Sequence, residues 1–387
     1  MNYDSIIVGA GFAGAVTARQ LAEAGRRVLL LERHDHIGGN AYDCPDSAGV
    51  LIHRYGPHIF HTNNREEVYD YLSRFTAWRD YQHAVVANIP DGQGRAEMPV
   101  PFNLVSLRQA YGPEKAARLE EKLIAAYGRE QKVTILQLRE NTDPELSELA
   151  QYVYDHVFEG YTMKQWGQTP EQIDPAVTAR VPVFISEDCR YFQDTYQGMP
   201  LHGYTPLFEA LLAHENIEVR TGVDARDILQ FETGKIFFDH TEFTGDVVYT
   251  GPVDELFDCC FGRLPYRTLD FKFETYDQDV YQSHGTVNYT MDEAYTRVTE
   301  FKYLTGQNKP GVTTIMKEFS RAYTGAADEI PYYAIANEDT AALYAQYAAK
   351  AAAFPRLHLL GRLAEYRYYN MDAIVAGALK LSRELVK

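Results

Sequence analysis

Arginine and tyrosine recur together along the second half of this chain. They meet in Tyr295-Thr296-Arg297, beside Pro331-Tyr332-Tyr333, and in the run from Gly361-Arg362 to Tyr368-Tyr369-Asn370-Met371, with Asn288 close by in sequence. An earlier group runs from Arg180-Val181-Pro182-Val183 to Tyr191 and Tyr196-Gln197-Gly198-Met199-Pro200. A guanidinium fork matches phosphate oxygens bidentately and a phenol donates one more hydrogen bond, so the pairing suits a diphosphate. A single arginine is more often a surface ion pair; only the recurrence beside tyrosines raises the functional reading. In Gly160-Tyr161-Thr162-Met163-Lys164-Gln165-Trp166-Gly167 a tyrosine and a tryptophan bracketed by glycines could stack on a base, against the plainer reading of a buried aromatic helix cap. Tyr55-Gly56-Pro57-His58-Ile59-Phe60-His61-Thr62 carries two imidazoles that could reach a cofactor. No carboxylate or cysteine accompanies them at ligand spacing, so no metal is expected.

The elements that must position these residues begin with the first forty. Ser5-Ile6-Ile7-Val8 is an apolar run ending in Gly9-Ala10-Gly11-Phe12-Ala13-Gly14, a helical pattern follows to Gly25, and Val28 to Leu31 is a second apolar strand closed by Glu32. A glycine fingerprint between strand and helix, with an acid ending the next strand, is a dinucleotide site. Gly9 allows the tight turn, Gly11 the approach of a pyrophosphate, and Gly14 close packing of helix on strand. The helix N-terminus faces the phosphates, and Glu32 can accept ribose hydroxyls. The continuation Arg33 to Ile37, Gly38-Gly39-Asn40 is similar to FAD proteins of the glutathione-reductase type, and no second fingerprint for a nicotinamide cofactor follows.

Composition bounds the rest. At 387 residues and 45% hydrophobic content the chain can bury the cores of two or three units. A formal charge of −17 argues against a nucleic-acid or anionic-membrane surface. The chain shows no membrane-length apolar run and no signal-peptide pattern at its start, so a cytoplasmic protein is expected. Cys44, Cys189, Cys259 and Cys260 have no metal or redox spacing and read as free thiols.

Periodicity predicts helices over 114–127 and 145–158, the latter started by Asp143-Pro144, and strands around 269–273 and 312–316. The expected fold class is α/β: a Rossmann-type, glutathione-reductase-like FAD-binding domain with a helical insertion and an antiparallel β-sheet module. The FAD domain takes 1–77, about 200–250 and 355–387; helices take about 99–175; a substrate-binding sheet takes about 78–98, 176–199 and 263–335.

The Gly-Tyr-Thr-x-Lys-Gln-Trp-Gly run, Tyr-Gln-Gly-Met-Pro, Gly-Arg-Leu-Ala-Glu-Tyr-Arg-Tyr-Tyr and the Gly-x-His-Ile-Phe-His-Thr loop together resemble the bacterial UDP-galactopyranose mutase family over nearly the whole chain. The resemblance implies UDP-galactose bound beside FAD, with Trp166 and Tyr161 on the uridine side. It implies diphosphate contacts from Arg180, Tyr196, Arg297, Tyr333 and Tyr368, and substrate contacts from Asn288, Thr162 and, by a weaker match, His83. Flavin contacts fall by the same resemblance on Gly9, Gly11, Phe12, Gly14, Glu32, Arg33, Gly39, Asn40, His58, Ile59, Arg362, Tyr369, Asn370 and Met371. Asn370 stands where some relatives carry Asp, which removes a charge there.

The implied reaction interconverts pyranose and furanose through a reduced-flavin N5–sugar adduct, for galactofuranose of cell-surface glycans. Arg180 and Arg297 steady the departing UDP, and the proton transfers fall to the flavin itself, to water or to His61. An external reductant and a homo-oligomer complete the expected partners. The competing readings are an oxidase of the amine-oxidase kind, which shares the first forty residues, and a non-catalytic FAD-containing nucleotide-sugar binder.

Overall fold

The computed structural model describes residues 3–90, 95–168, 181–326 and 328–387. The chain divides into two compact units: Met1–Asp80, Asp194–Tyr266 and Pro331–Lys387 form the first, Tyr81–Gln193 and Arg267–Ile330 the second.

The first unit is built on a sheet in the order Ile217–Arg220, Val28–Leu31, Ser5–Val8, Asp246–Tyr249, Leu357–Leu359. Every neighbouring pair is parallel. The central strands are covered on both faces, which is why they read as unbroken apolar runs rather than alternating ones. Helix Phe12–Glu23 packs against helix Met371–Val386. Gly25, at φ +85°, ends the first of these as its position predicts. A separate antiparallel ribbon sets Tyr196–Pro200 between Phe60–Thr62 and Trp78–Asp80, so that Tyr196 faces Thr62 and Gln197 faces His61.

In the second unit the strands run in the order Tyr266–Tyr276, Thr313–Ala322, Arg297–Glu300, Thr286–Tyr289, Val85–Pro90, Arg95–Val100. The expected antiparallel pattern breaks once, where Thr286–Tyr289 pairs parallel with Val85–Pro90. A parallel neighbour needs a long crossover, and the helical segment lies in sequence between these two strands. Helices Pro113–Tyr127 and Pro144–Val153 bury Leu119, Leu123, Leu149 and Val153 in one core with Ile135 and Leu138. Asp143 caps the second helix by accepting from the N–H groups of Glu145 and Leu146.

One helical expectation changes in kind. The segment predicted as α-helix through residue 158 turns into a π-helix over Tyr154–Glu159 before helix Gly160–Trp166. Thr290 Oγ1 donates to His156 O at 2.5 Å, and a side chain on Gly160 would overlap Thr290 O. The close approach of the 290 turn thus accompanies the widened turn, a distortion that tends to occur at functional sites.

Candidate active site

In the first unit, Gly9 takes φ +101° between strand and helix, and a Cβ there would overlap the Thr250 hydroxyl. A Cβ on Gly14 would overlap the Gly9 carbonyl oxygen, so helix and turn touch backbone to backbone. Gly11 differs: a Cβ there would meet only Gly39 Cα, at 3.8 Å. Gly11 is the N-cap, with no side-chain capping bond and no acid in the first turn, which leaves the helix N-terminus to an anion. Phe12 turns its ring into the core, 4.7 Å from that of Phe208.

Glu32 is buried at the end of its strand. One carboxylate oxygen accepts from Ala10 N at 2.8 Å; the other accepts from His34 N at 2.9 Å and lies 2.8 Å from His34 Nδ1. Burial pushes its pKa up, but these bonds outweigh it and hold the group below the usual carboxylate range. A carboxylate has about four acceptor positions, so capacity remains for a ribose hydroxyl. A free helix N-terminus, an open glycine and a poised carboxylate fit a dinucleotide. Arg33 lies 3.6 Å from Glu255, and Gly39 and Asn40 form a short 3-10 turn facing Gly11.

Around the Gly-Pro loop, His58 N donates to His53 Nδ1 at 3.1 Å, and His58 Nδ1 sits 2.8 Å from Gly56 O. Donation to that carbonyl leaves Nε2 of His58 as the acceptor nitrogen. Burial lowers both pKa values, with His53 pushed down to about 4 and His58, which also feels His53, to about 3. Ile59 follows in the same loop, and His61 lies 3.3 Å from Asp194. Thr62 Oγ1 donates to Asp372 at 3.0 Å and Arg65 pairs with the same carboxylate, tying this loop to the last helix. Asn370 is the N-cap of that helix and Met371 its first residue.

Arg362 stands 4.3 Å from the ring centre of Tyr368 and 5.4 Å from that of Tyr333, with Nη2 donating to Tyr332 O at 2.9 Å. The structure therefore groups a residue assigned to the flavin with two assigned to the diphosphate. Tyr369 gives its hydroxyl to Glu365. Tyr196 stands outside that group: its hydroxyl donates to Glu66 at 3.1 Å and its ring stacks on Tyr69 at 4.4 Å. The ribbon register that pairs Tyr196 with Thr62 puts it there.

In the second unit, Asn288 and Arg297 face each other across neighbouring strands. Asn288 is buried, and its Oδ1 has no hydrogen-bond partner among the described residues. Arg297 Nε lies 3.0 Å from the carboxylate of buried Glu318. Burial raises the Glu318 pKa, while Arg297 opposes the rise. Helix Gly160–Trp166 puts Thr162 and Trp166 on one face, four residues apart, with Tyr161 off that face. His83 is buried, 3.1 Å from the Tyr81 hydroxyl and 5.6 Å between ring centres from Tyr191. Arg180 lies outside the described residues. Among the described residues no group of His, Cys, Asp and Glu could hold a metal, and no helix is long and apolar enough to cross a membrane.

Residues 156–368 match the family model for UDP-galactopyranose mutase, and residues 7–75 match that for an NAD(P)-binding Rossmann-like domain. The UDP-galactopyranose mutase of Mycoplasma pneumoniae is 35% identical over all of this chain and 97% of its own length. The chain belongs to the UDP-galactopyranose mutase family. The dTDP-fucopyranose mutase of Escherichia coli is 36% identical over 99% of this chain and 98% of its own. A crystal structure of reduced UDP-galactopyranose mutase shares the fold, with a TM-score of 0.71, 14% identity and coverage of 100% of this chain and 94% of that one.

The mutase family match runs from helix Gly160–Trp166 through Asn288 and Arg297 to Tyr368. Within each unit, geometry adds neighbours of the expected residues that spacing did not assign. Glu318 beside Arg297 could be found only from strand register. Tyr191 beside His83 was within the quoted motif, but no pattern distinguishes it from Tyr196. Asp372, an acid in the first turn of the last helix, had a local signal of its own.

Proposed function

We propose that the chain interconverts UDP-galactopyranose and UDP-galactofuranose in the cytoplasm, with FAD as a cofactor that must be reduced, and supplies galactofuranose for cell-surface glycans. The observation that best supports this is the Asn288–Arg297–Glu318 arrangement in a chain so alike the mutases over its whole length. A buried amide oxygen with no hydrogen-bond partner among the described residues sits opposite a guanidinium that lies 3.0 Å from a buried carboxylate, and a guanidinium held in this way suits phosphate oxygens.

The first helix turn at Gly11 takes the FAD pyrophosphate and Glu32 the adenosine ribose. Reduced FAD, when bound, supplies a nucleophilic N5 lone pair for the anomeric carbon. Arg297, with Arg180, spreads the negative charge gathering on the departing UDP, an interaction stronger in the transition state than before it. Trp166 and Thr162 hold the uridine end so that UDP stays placed to return. His58, neutral, would offer Nε2 as an acceptor to the bound flavin. Tyr333 and Tyr368 donate to the diphosphate, and Arg362 bears on the flavin.

The full-length likeness to a dTDP-fucopyranose mutase supports a second reading in which the natural substrate is a dTDP-linked deoxysugar. One experiment separates the readings. The dithionite-reduced and the air-oxidised protein are each given UDP-galactofuranose or dTDP-fucofuranose, and the products are separated by chromatography. We expect UDP-galactopyranose from the reduced protein alone, without peroxide. Faster conversion of the dTDP sugar would transfer the assignment to the second reading. Peroxide in proportion to substrate would favour an oxidase, and UDP binding without isomerisation a plain binder.

A further inference from the structure

Helix Gly160–Trp166, which carries Thr162 and Trp166, is the last stretch of a continuous helical run that begins at Pro144 and passes through the π-helix Tyr154–Glu159. Two cations fasten this end, one from a neighbouring strand and one of its own. Arg267 Nε donates to Gln165 O at 3.0 Å and Nη2 to Lys164 O at 3.1 Å, and Ser320 Oγ donates to Gln165 O at 2.6 Å. These bonds satisfy carbonyls of the last turn that the helix itself leaves open.

The second cation lies in the helix. Lys164 Nζ donates to the carbonyls of Tyr289, of Glu293 at 3.0 Å and of Tyr295 at 3.4 Å. It is half-buried and makes no ion pair among the described residues; the nearby Glu293 carboxylate pairs through one oxygen with Arg95, at 2.9 Å. Three carbonyls converging on one ammonium match its three donors. The turn they belong to joins strand Thr286–Tyr289, which ends beside Asn288, to strand Arg297–Glu300, which begins with Arg297. One side chain thus fastens the helix that bears Trp166 to the hairpin that bears Asn288 and Arg297.

We propose that Lys164 is a positioning residue for nucleotide recognition, setting the spacing between Trp166 and Thr162 on its helix and Asn288 and Arg297 on the hairpin. The proposal rests on the reading that these residues bind the UDP part of the substrate. Its effect on ligand is indirect, through placement, and small misplacements at such sites are costly.

The test is the dissociation constant of UDP, by calorimetry, for the FAD-loaded wild type, Lys164→Met, Trp166→Ala and the double variant, with flavin content measured in each. We expect Lys164→Met to weaken UDP roughly tenfold or more with flavin content unchanged. In the double variant the two losses should not add, because Trp166 is the group that Lys164 places. Lys164→Arg keeps the charge but offers a planar fork, so it should fall between wild type and Met; it also carries the test, with the same cycle, where the Met variant does not fold. Losses that add, or unchanged UDP affinity in the Lys164 variants while Trp166→Ala loses it, would overturn the proposal and leave the nucleotide site standing. Unchanged affinity in Trp166→Ala would overturn the reading of the helix as a nucleotide contact, and the proposal with it.

Discussion

Gly11 and Gly14 share one motif, yet the space around them differs, and so should their variants. A methyl group on Gly14 has to displace the backbone of Gly9, so Gly14→Ala should cost roughly 1–3 kcal/mol or more of stability, read from thermal unfolding. A Cβ on Gly11 meets nothing closer than 3.8 Å. Gly11→Val should therefore fold but purify without flavin; a variant that stays fully yellow would remove the dinucleotide reading. Arg297→Ala should lower turnover by about tenfold to a hundredfold, since a charge-assisted hydrogen bond contributes roughly 1.5–3 kcal/mol and each ~1.4 kcal/mol is tenfold in rate, with flavin still bound. Equal turnover and equal UDP affinity would make Arg297 an ordinary arginine. His53 sets a pH dependence. Its folded pKa lies below the free value of about 6.5, at about 4, so between these limits the unfolded chain binds the extra proton. Stability contributed by neutral His53 is complete above about pH 6.5 and is lost as pH falls towards 4. Urea unfolding across that window should show a slope that His53→Gln reduces.

Among the elements, the loop 55–62 and the last helix depend on each other through Asp372, which accepts from Thr62 and pairs with Arg65. Asp372→Ala should loosen both and weaken FAD binding by roughly tenfold, the worth of one or two such bonds. Titrating apoprotein with FAD checks this; unchanged affinity would mean that the tie does not serve the cofactor. The elements legible in sequence were those with a local cause. Strands Ser5–Val8 and Val28–Leu31 were unbroken apolar runs, the glycines fixed the turn, and Asp143-Pro144 marked a helix start. The π-helix at Tyr154–Glu159 was not legible, because the contact that accompanies it comes from Thr290, far along the chain. Nor was the parallel pairing of Thr286–Tyr289 with Val85–Pro90, or the position of Tyr196 on the ribbon. Motif resemblance named Arg297, but only register supplied Glu318.

For the molecule as a whole, a formal charge of −17 sets the long-range field that an anionic nucleotide sugar must cross. Local arginines act at contact, whereas the net charge acts at distance and is screened within about 8 Å at physiological salt. Raising salt from a low level to about 0.15 M should therefore increase kcat/KM modestly, the reverse of electrostatic steering. A steep fall with salt would mean that a basic patch governs capture.

The parallel sheet of the first unit has a consequence for biosynthesis. Its strands are drawn from Ser5–Val8, Val28–Leu31, Ile217–Arg220, Asp246–Tyr249 and Leu357–Leu359, while most of the second unit is translated in between. A nascent chain would present the glycine turn early, yet lack three of its sheet neighbours for most of its time on the ribosome. Such long-range pairing is slow and leaves strand edges open to aggregation. Cofactor loading should thus be a late, post-translational event, and a chain arrested before Leu357 should need a chaperone to stay in solution.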